Sequence, residues 1–527
     1  MLIERLHSAN RQERFLAKAA NVSNIILGGG GVASLLALLY FFYHYGWTGE
    51  RKFDSSMGVV LYYLVPAGVA GLLFASLRLK ASYKINLALL SVSLAASVLS
   101  AELFLQLSNA SAPKLAVWQV QGQSKEKKQR TREFARQYGV DFDTRDGIEI
   151  LGELRKGGVE AVPMVSKWLD RNNDLWNWRP DGSIQSAVNI AGEEVIPLGA
   201  VANRLTILCN ESGQWITYPS DEHGFSNPKG IWQSNPLDIA ALGDSFAEGY
   251  CVPPDKSFVA LIRQRFAATL NLGIAGNGPL LELATLKEYL PSLKPRHVLW
   301  FYCEGNDLTG LQTEKKISLL MRYLKGDFNQ GLMGRRRDID QALIGFIDRQ
   351  TARKMNQPPQ PPPERRNWIS KRVSDLVGII ALRSMRQKLG LVQGRTLEEA
   401  EGLSDFDGPN MDLFGQILVE AKSRVNAWGG TLHFVYLPSA SRYVGSAEVP
   451  VRMRARVLSV VSALGIPVID IHPVFQAHGD VRSLFPWGGY GHYNEKGHRV
   501  VAEEVLKAID ASGRSVPDAL YAASRTS

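Results

Sequence analysis

Cysteine is scarce in this chain, with three in 527 residues. That is too few for a disulfide framework, which excludes the small scaffolds held together by cross-links. Cys209 and Cys251 are the pair available to bond if their part of the chain lies outside the cytoplasm. Cys303 falls in an apolar, strand-like run and reads as buried. Metal-ligand spacing is also missing. Asp221, Glu222 and His223 stand together, but within "TYPSDEHGFSNP", where clustered turn residues read as a loop bonded to itself. No metal and no cofactor is expected. The net charge of +9 gathers in clusters such as Ser124–Arg132 and Gly334–Asp338, without the interleaved aromatics of a single-strand nucleic-acid platform. Those clusters read as solvated faces or contacts with acidic lipid or glycan, and nucleic acid is not an expected partner.

Long apolar runs occur at one end only. They are Asn24–Trp47, Gly58–Leu77 and Ile85–Leu107. Each is about 20 residues long, enough to cross roughly 30 Å of hydrocarbon as a helix. Residues 1–111 are therefore expected to form an anchor of three transmembrane helices at about 24–47, 58–77 and 85–107, with membrane lipid as a partner. A cleaved signal peptide fits poorly, because 23 largely polar residues precede the first run and no small-residue cleavage site follows. Arg5, Arg11, Arg14 and Lys18, with Arg78, Lys80 and Lys84, fall on one side of the membrane. Arg51, Lys52 and Lys114 fall on the other, with Lys125, Lys127 and Lys128 further from it. This bias places the N-terminus in the cytoplasm and the C-terminal region across the membrane.

Beyond the anchor, residues 112–235 read as a mixed connecting region, with one helix at Asp146–Gly158 closed by glycines. From Leu237 short apolar strands alternate with helical patterns, which is the rhythm of a parallel α/β sheet. The strands are Leu237–Gly243, Thr269–Ile274, His297–Cys303, Thr431–Leu437 and Pro467–Ile471. Helices are expected at Ser257–Ala268, Pro279–Leu293, Leu413–Trp428 and Val451–Leu464, with a last one starting near Asn494. An insertion at about 310–410 includes "QPPQPPP" (Gln357–Pro363), an extended spacer. This places an α/β domain at 236–510 and a tail at 511–527.

Open parallel sheets bind ligands beyond the carboxyl ends of their strands. "GDSF" follows the first strand here, "NLGIAGNG" arises at the second, "EGND" follows the third, and "PWGGYGHYNEKGH" precedes the last helix. A serine hydroxyl needs a base to become nucleophilic, and His492 is the candidate for Ser245. A tetrahedral intermediate needs donors, which the Ser245 and Gly276 backbone N–H groups and the Asn306 amide could supply. His498 reads as a structural histidine in the last helix, which Asn494 caps.

"GDSF", "GIAG", "EGND" and "GHYNEKGH" resemble, in order, the four blocks of the SGNH (GDSL-type) hydrolases. The resemblance covers about residues 236–510, broken by the insertion. It implies a flavodoxin-like three-layer α/β/α fold and ester hydrolysis through an acyl-serine. Ser245 matches the nucleophile, His492 the base, and Gly276 and Asn306 the oxyanion positions. The departure is at Gly489, where the family commonly carries Asp three residues before the histidine. Three arrangements remain open: the Gly489 carbonyl holds His492 Nδ1, a carboxylate folds in from elsewhere with Asp480 the nearest candidate, or the site has lost turnover.

With the anchor, the resemblance implies a multi-pass inner-membrane serine esterase whose catalytic domain is periplasmic or otherwise extracytoplasmic. Its expected substrate is an acyl, especially acetyl, group on a cell-surface or exported polysaccharide, within envelope polysaccharide machinery. The same residues would serve an O-acetyltransferase, and a site without its acid would leave a glycan-binding component.

Overall fold

The computed structural model describes residues 2–43, 60–110, 125–167, 169, 173–356, 409–444, 448–488 and 491–513. Gly489, the Gln357–Pro363 spacer and the tail beyond Gly513 lie outside these residues. The chain divides into two compact units.

The N-terminal unit holds α1 (Leu2–Phe41), a π-helical turn at Val60–Leu64, α2 (Val65–Ser76) and α3 (Ala81–Ala110). Phe41 meets Tyr62 edge-on at 5.0 Å, and Lys84 Nζ donates to Asn24 Oδ1 at 3.1 Å. Two helices among the described residues are long and apolar enough to cross a membrane, Glu13–Phe41 and Ala81–Leu105. Three had been expected. The middle run instead yields a shorter apolar helix, Tyr62–Ser76. At 1.5 Å per residue it reaches only about 22 Å, short of a hydrocarbon core of about 30 Å. Pro66 stands in the first turn of α2, where a missing N–H costs nothing, directly after the π-helical turn.

In the second unit, α4 (Lys125–Arg136) and α5 (Gly147–Lys156) precede a small sheet of β1 (Ala161–Pro163), β2 (Leu205–Cys209) and β3 (Ile216–Pro219). Strand β2 pairs in parallel with β1 and antiparallel with β3. Asp146 caps α5 and exchanges bonds with Glu149 in a full capping box, which starts the helix where the sequence pattern placed it.

The main sheet has five parallel strands: β4 (Ile239–Leu242), β5 (Thr269–Asn271), β6 (His297–Cys303), β7 (Thr431–Leu437) and β8 (Val468–Asp470). Their spatial order is β5-β4-β6-β7-β8, the order of doubly wound flavodoxin-like sheets. Successive side chains on a strand point to opposite faces, and two cores result. Ala240, Leu242, Val298, Trp300, Tyr302, Phe434 and Tyr436 face one side, in one cluster with apolar residues of α8 (Pro279–Tyr289) and α11 (Pro409–Ala427). Ile239, Ala241, Leu299, Phe301, Val435 and Leu437 face the other, in one cluster with residues of α7 (Phe258–Arg265), α13 (Ile471–Ala477) and α14 (Glu495–Gly513). Helices thus cover both faces of a parallel sheet, and every expected strand and helix of this sheet is present.

Within residues 112–235, Leu175, Trp176, Val195, Ile196 and Leu198 belong to the larger core. The described first part of the insertion does the same. Its helix α10 (Arg336–Asn356) contributes Ile339, Leu343 and Ile347.

Candidate active site

Strand β4 is buried throughout and ends at Gly243, where a Cβ would lie 2.8 Å from Ala247 Cβ and 3.0 Å from the Phe301 carbonyl oxygen. The missing side chain lets the backbone fold sharply into the single-turn helix α6 (Ser245–Glu248). Asp244 caps that turn, its Oδ1 accepting the Phe246 N–H at 2.9 Å. Ser245 is the first residue of the helix.

Four sequence blocks converge here. Ile274 N–H donates to the Gly243 carbonyl at 3.2 Å, and Ala275 N–H donates to Glu248 Oε2 at 2.8 Å. These bonds hang the Gly276 turn, with φ of +85° at that glycine, on the Ser245 turn. From the end of β6, Asn306 donates through Nδ2 to Asp244 Oδ2 at 2.7 Å, which leaves its second amide hydrogen for another acceptor. Burial pushes the Asp244 carboxyl up from its ordinary value, while the Asn306 and Phe246 donors pull it back down. The fourth block brings His492, whose Nε2 lies 2.7 Å from Ser245 Oγ. Phe246 and Tyr250 lie against the imidazole at ring-centroid distances of 4.6 and 4.7 Å.

The other imidazole nitrogen meets a carboxylate that sequence reasoning missed. His492 Nδ1 lies 3.0 Å from both oxygens of Glu211, and the His492 backbone N–H donates to Glu211 Oε2 at 3.0 Å. A proton on Nδ1 shared with the carboxylate leaves Nε2 as the acceptor facing Ser245. Glu211, His492 and Ser245 are all nearly inaccessible, at 4%, 2% and 6% exposure, so little water competes for these bonds. Gly491 makes the contact possible. Its φ is +74°, and a Cβ there would stand 2.5 Å from Glu211 Oε2.

Asp480 is placed elsewhere, on the exposed surface. Its carbonyl accepts from Ser483 Oγ at 2.7 Å and lies 2.9 Å from His478 Nδ1. Glu211 thus stands where Asp480 had been the nearest candidate in sequence. The reason is topological: 281 residues separate Glu211 from His492, so nearness along the chain carries no information about this contact. One clue did exist. Glu211 follows Cys209 by two residues, and Cys251 follows Ser245 by six. The Cys209–Cys251 disulfide is present, with Cα atoms 5.5 Å apart, and it brings Glu211 beside the Ser245 turn. Cys303 is free and buried, as expected.

His498 sits in α14 with no exposure, its Nδ1 accepting the Phe258 N–H at 3.1 Å. Burial pushes its pKa down to about 3, so it is a neutral fixture of the packing. Asn494 caps α14 by accepting the Lys496 and Gly497 N–H groups. Glu314 holds the start of α8 through the Gly278 and Leu280 N–H groups, and burial raises its carboxyl to about 7. The Asp221 loop is bonded to itself: Asp221 accepts from the His223 and Phe225 N–H groups, from Asn227 Nδ2 and from Trp232 Nε1. No group of three or more His, Cys, Asp or Glu among the described residues is arranged to hold a metal ion.

No family model and no curated protein matches the chain. Among solved structures it is similar to a putative lipolytic protein of the G-D-S-L family from Desulfitobacterium hafniense DCB-2, at 13% identity and a TM-score of 0.28, over 52% of this chain and 99% of that one. It is also similar to the lipase/acylhydrolase from Enterococcus faecalis, at 13% identity and a TM-score of 0.28, over 53% of this chain and 97% of that one. A third is the acetyl xylan esterase AlAXEase, at 10% identity and a TM-score of 0.28, over 52% of this chain and 100% of that one. The four sequence blocks are gathered at one end of a parallel sheet, around Ser245 and His492.

Proposed function

We propose that the protein is a serine esterase with Ser245 as nucleophile, His492 as general base and Glu211 as the acid of the triad. The observation that carries this reading is the unbroken line from Ser245 Oγ through His492 Nε2 and Nδ1 to Glu211. His492 takes the Ser245 proton as Oγ attacks the ester carbonyl carbon. The oxyanion that forms is met by the Ser245 and Gly276 N–H groups and the free hydrogen of the Asn306 amide. One such donor is worth about 10²–10³ in rate. His492 then protonates the departing alcohol, and water enters by the reverse route to release the acid. Glu211 fixes the tautomer and stabilises the imidazolium without itself taking the proton.

The substrate reading rests on location. Two helices suited to crossing a membrane precede the catalytic unit, and a disulfide within that unit favours an oxidising compartment. An anchored esterase outside the cytoplasm meets acylated envelope polymers, so an acetyl or other acyl ester of a surface or exported polysaccharide is the proposed substrate. The carboxylate at His492 supports the catalytic reading over a non-catalytic role.

Hydrolysis of p-nitrophenyl acetate and labelling by a fluorophosphonate probe test the chemistry. Wild-type protein should do both, Ser245→Ala neither, and His492→Ala should lose turnover. Hydrolysis that survives both substitutions unchanged sinks the proposal.

A further inference from the structure

Glu211 reaches His492 from outside the main sheet, so something must hold the β2–β3 hairpin at its working distance from the nucleophile. Two links do so. In the first, Tyr218 of β3 donates its hydroxyl to Glu248 Oε1 at 2.9 Å, and Glu248 is the last residue of the one-turn helix that Ser245 begins. This bond docks the body of the hairpin. The second link lies at the hairpin's tip, where Cys209 is bonded to Cys251. Glu211 N–H donates to Cys251 Sγ at 3.0 Å, so the disulfide grips the very residue that carries the acid. Its other end is as close to the chemistry, since Tyr250, the neighbour of Cys251, lies against the His492 ring. Cys251 itself adopts φ of +63°, an uncommon conformation for a residue with a side chain.

Resting on the Ser245–His492–Glu211 reading, we infer that the Cys209–Cys251 disulfide is a positioning element for catalysis, setting the Glu211 carboxylate on His492 Nδ1 and fixing its distance from the Ser245 turn. Its work differs from cross-linking for stability alone. The Tyr218–Glu248 bond and the apolar packing of Leu208 and Tyr218 remain when the disulfide is opened. The hairpin then stays docked, its tip still bonded to residues 141–143 through Asn210, Gly213 and Gln214, while Glu211 loses its tie to the Ser245 turn.

A double-mutant cycle tests this, because groups acting through one interaction show non-additive effects. The four proteins are wild type, Cys209→Ala/Cys251→Ala, Glu211→Gln, and all three substitutions together; alanine suits the buried, apolar surroundings of both sulfurs. The readouts are kcat and KM on p-nitrophenyl acetate. Glu211→Gln should lower kcat by about 10⁴. The cysteine pair should lower kcat by about 10–10², a misplacement effect, with little change in KM. The triple variant should be no slower than Glu211→Gln alone. A triple variant slowed by the product of both losses, or a cysteine pair with wild-type kcat, overturns the inference. Full activity in Glu211→Gln instead overturns the triad reading itself, whatever the cysteines do.

Should the cysteine pair fail to fold, the folded wild-type protein is treated with dithiothreitol. The reductant gives two electrons and two protons, the S–S bond becomes two thiols, and the reagent closes to its own cyclic disulfide. Turnover should then fall in step with the thiols released at unchanged circular dichroism. Turnover that stays constant once both thiols titrate overturns the inference.

Discussion

Ser245 and Glu211 sit at opposite ends of one hydrogen-bonded line, yet two different parts of the fold deliver them. Ser245, Gly276 and Asn306 stand beyond the carboxyl ends of β4, β5 and β6, each in a tight turn that only certain residues can make. Glu211 stands just past β2, at the tip of a hairpin whose residues would suit any surface turn. The first group is held by the main sheet's backbone. The second is held by one disulfide, Tyr218, the contact with His492 itself and bonds from Asn210, Gly213, Gln214 and Trp215 to residues 141–145. On the proposed mechanism, then, the main sheet carries the reacting atoms, while an appended element carries the group that orients them.

Substitutions on the two sides should expose that contrast. Ser245→Ala should lower kcat by about 10⁶ and Glu211→Gln by about 10⁴, measured on p-nitrophenyl acetate. A Glu211→Gln loss no greater than that of a surface residue would break the comparison at once. Gly491→Ala comes next. Its Cβ would press on Glu211 Oε2 from a backbone at φ +74°, costing about 1–3 kcal/mol of strain. It should lower kcat by about 10–10² through loss of orientation, which kinetics and a thermal melt would separate from unfolding.

Glu314 probes the rigid side. Its carboxyl is raised by burial from 4.5 to about 7, so the folded state binds the proton more tightly than the unfolded chain. Its contribution to stability is complete below pH 4.5 and is lost as pH rises through about 7. Replacing it by glutamine should flatten the fall in Tm between about pH 5 and 7 relative to wild type, as calorimetry across that range would show. The smallest effect is expected at Asp480→Asn, an exposed site away from the triad, where kcat should change by less than about twofold.

These same differences explain what could be read in advance. The strands of the main sheet were legible because burial on both faces demands continuous apolar runs. Ser245, Gly276, Asn306 and His492 were legible because sharp turns and short-range contacts leave local residue patterns. Glu211 left none: "CNESG" (Cys209–Gly213) satisfies an ordinary turn, and nothing local marks a carboxylate that will meet a histidine 281 residues away. Attention to Gly489 therefore led to Asp480 by proximity along the chain. The middle apolar run failed for a different reason. Hydropathy counts apolar residues, whereas the α-helical part of this run among the described residues is only Val65–Ser76, preceded by a π-helical turn.

The origin of Glu211 also bears on what counts as a functional module. A boundary drawn around the four blocks, at residues 236–510, encloses the proposed nucleophile, base and oxyanion donors but cuts away the proposed acid, Glu211, and one half of the disulfide beside it. Such a fragment, excised or transplanted into another protein, would carry every recognisable motif and still be an incomplete catalyst. On the proposed mechanism, the heritable unit of activity is larger than its signature and extends back at least to Cys209.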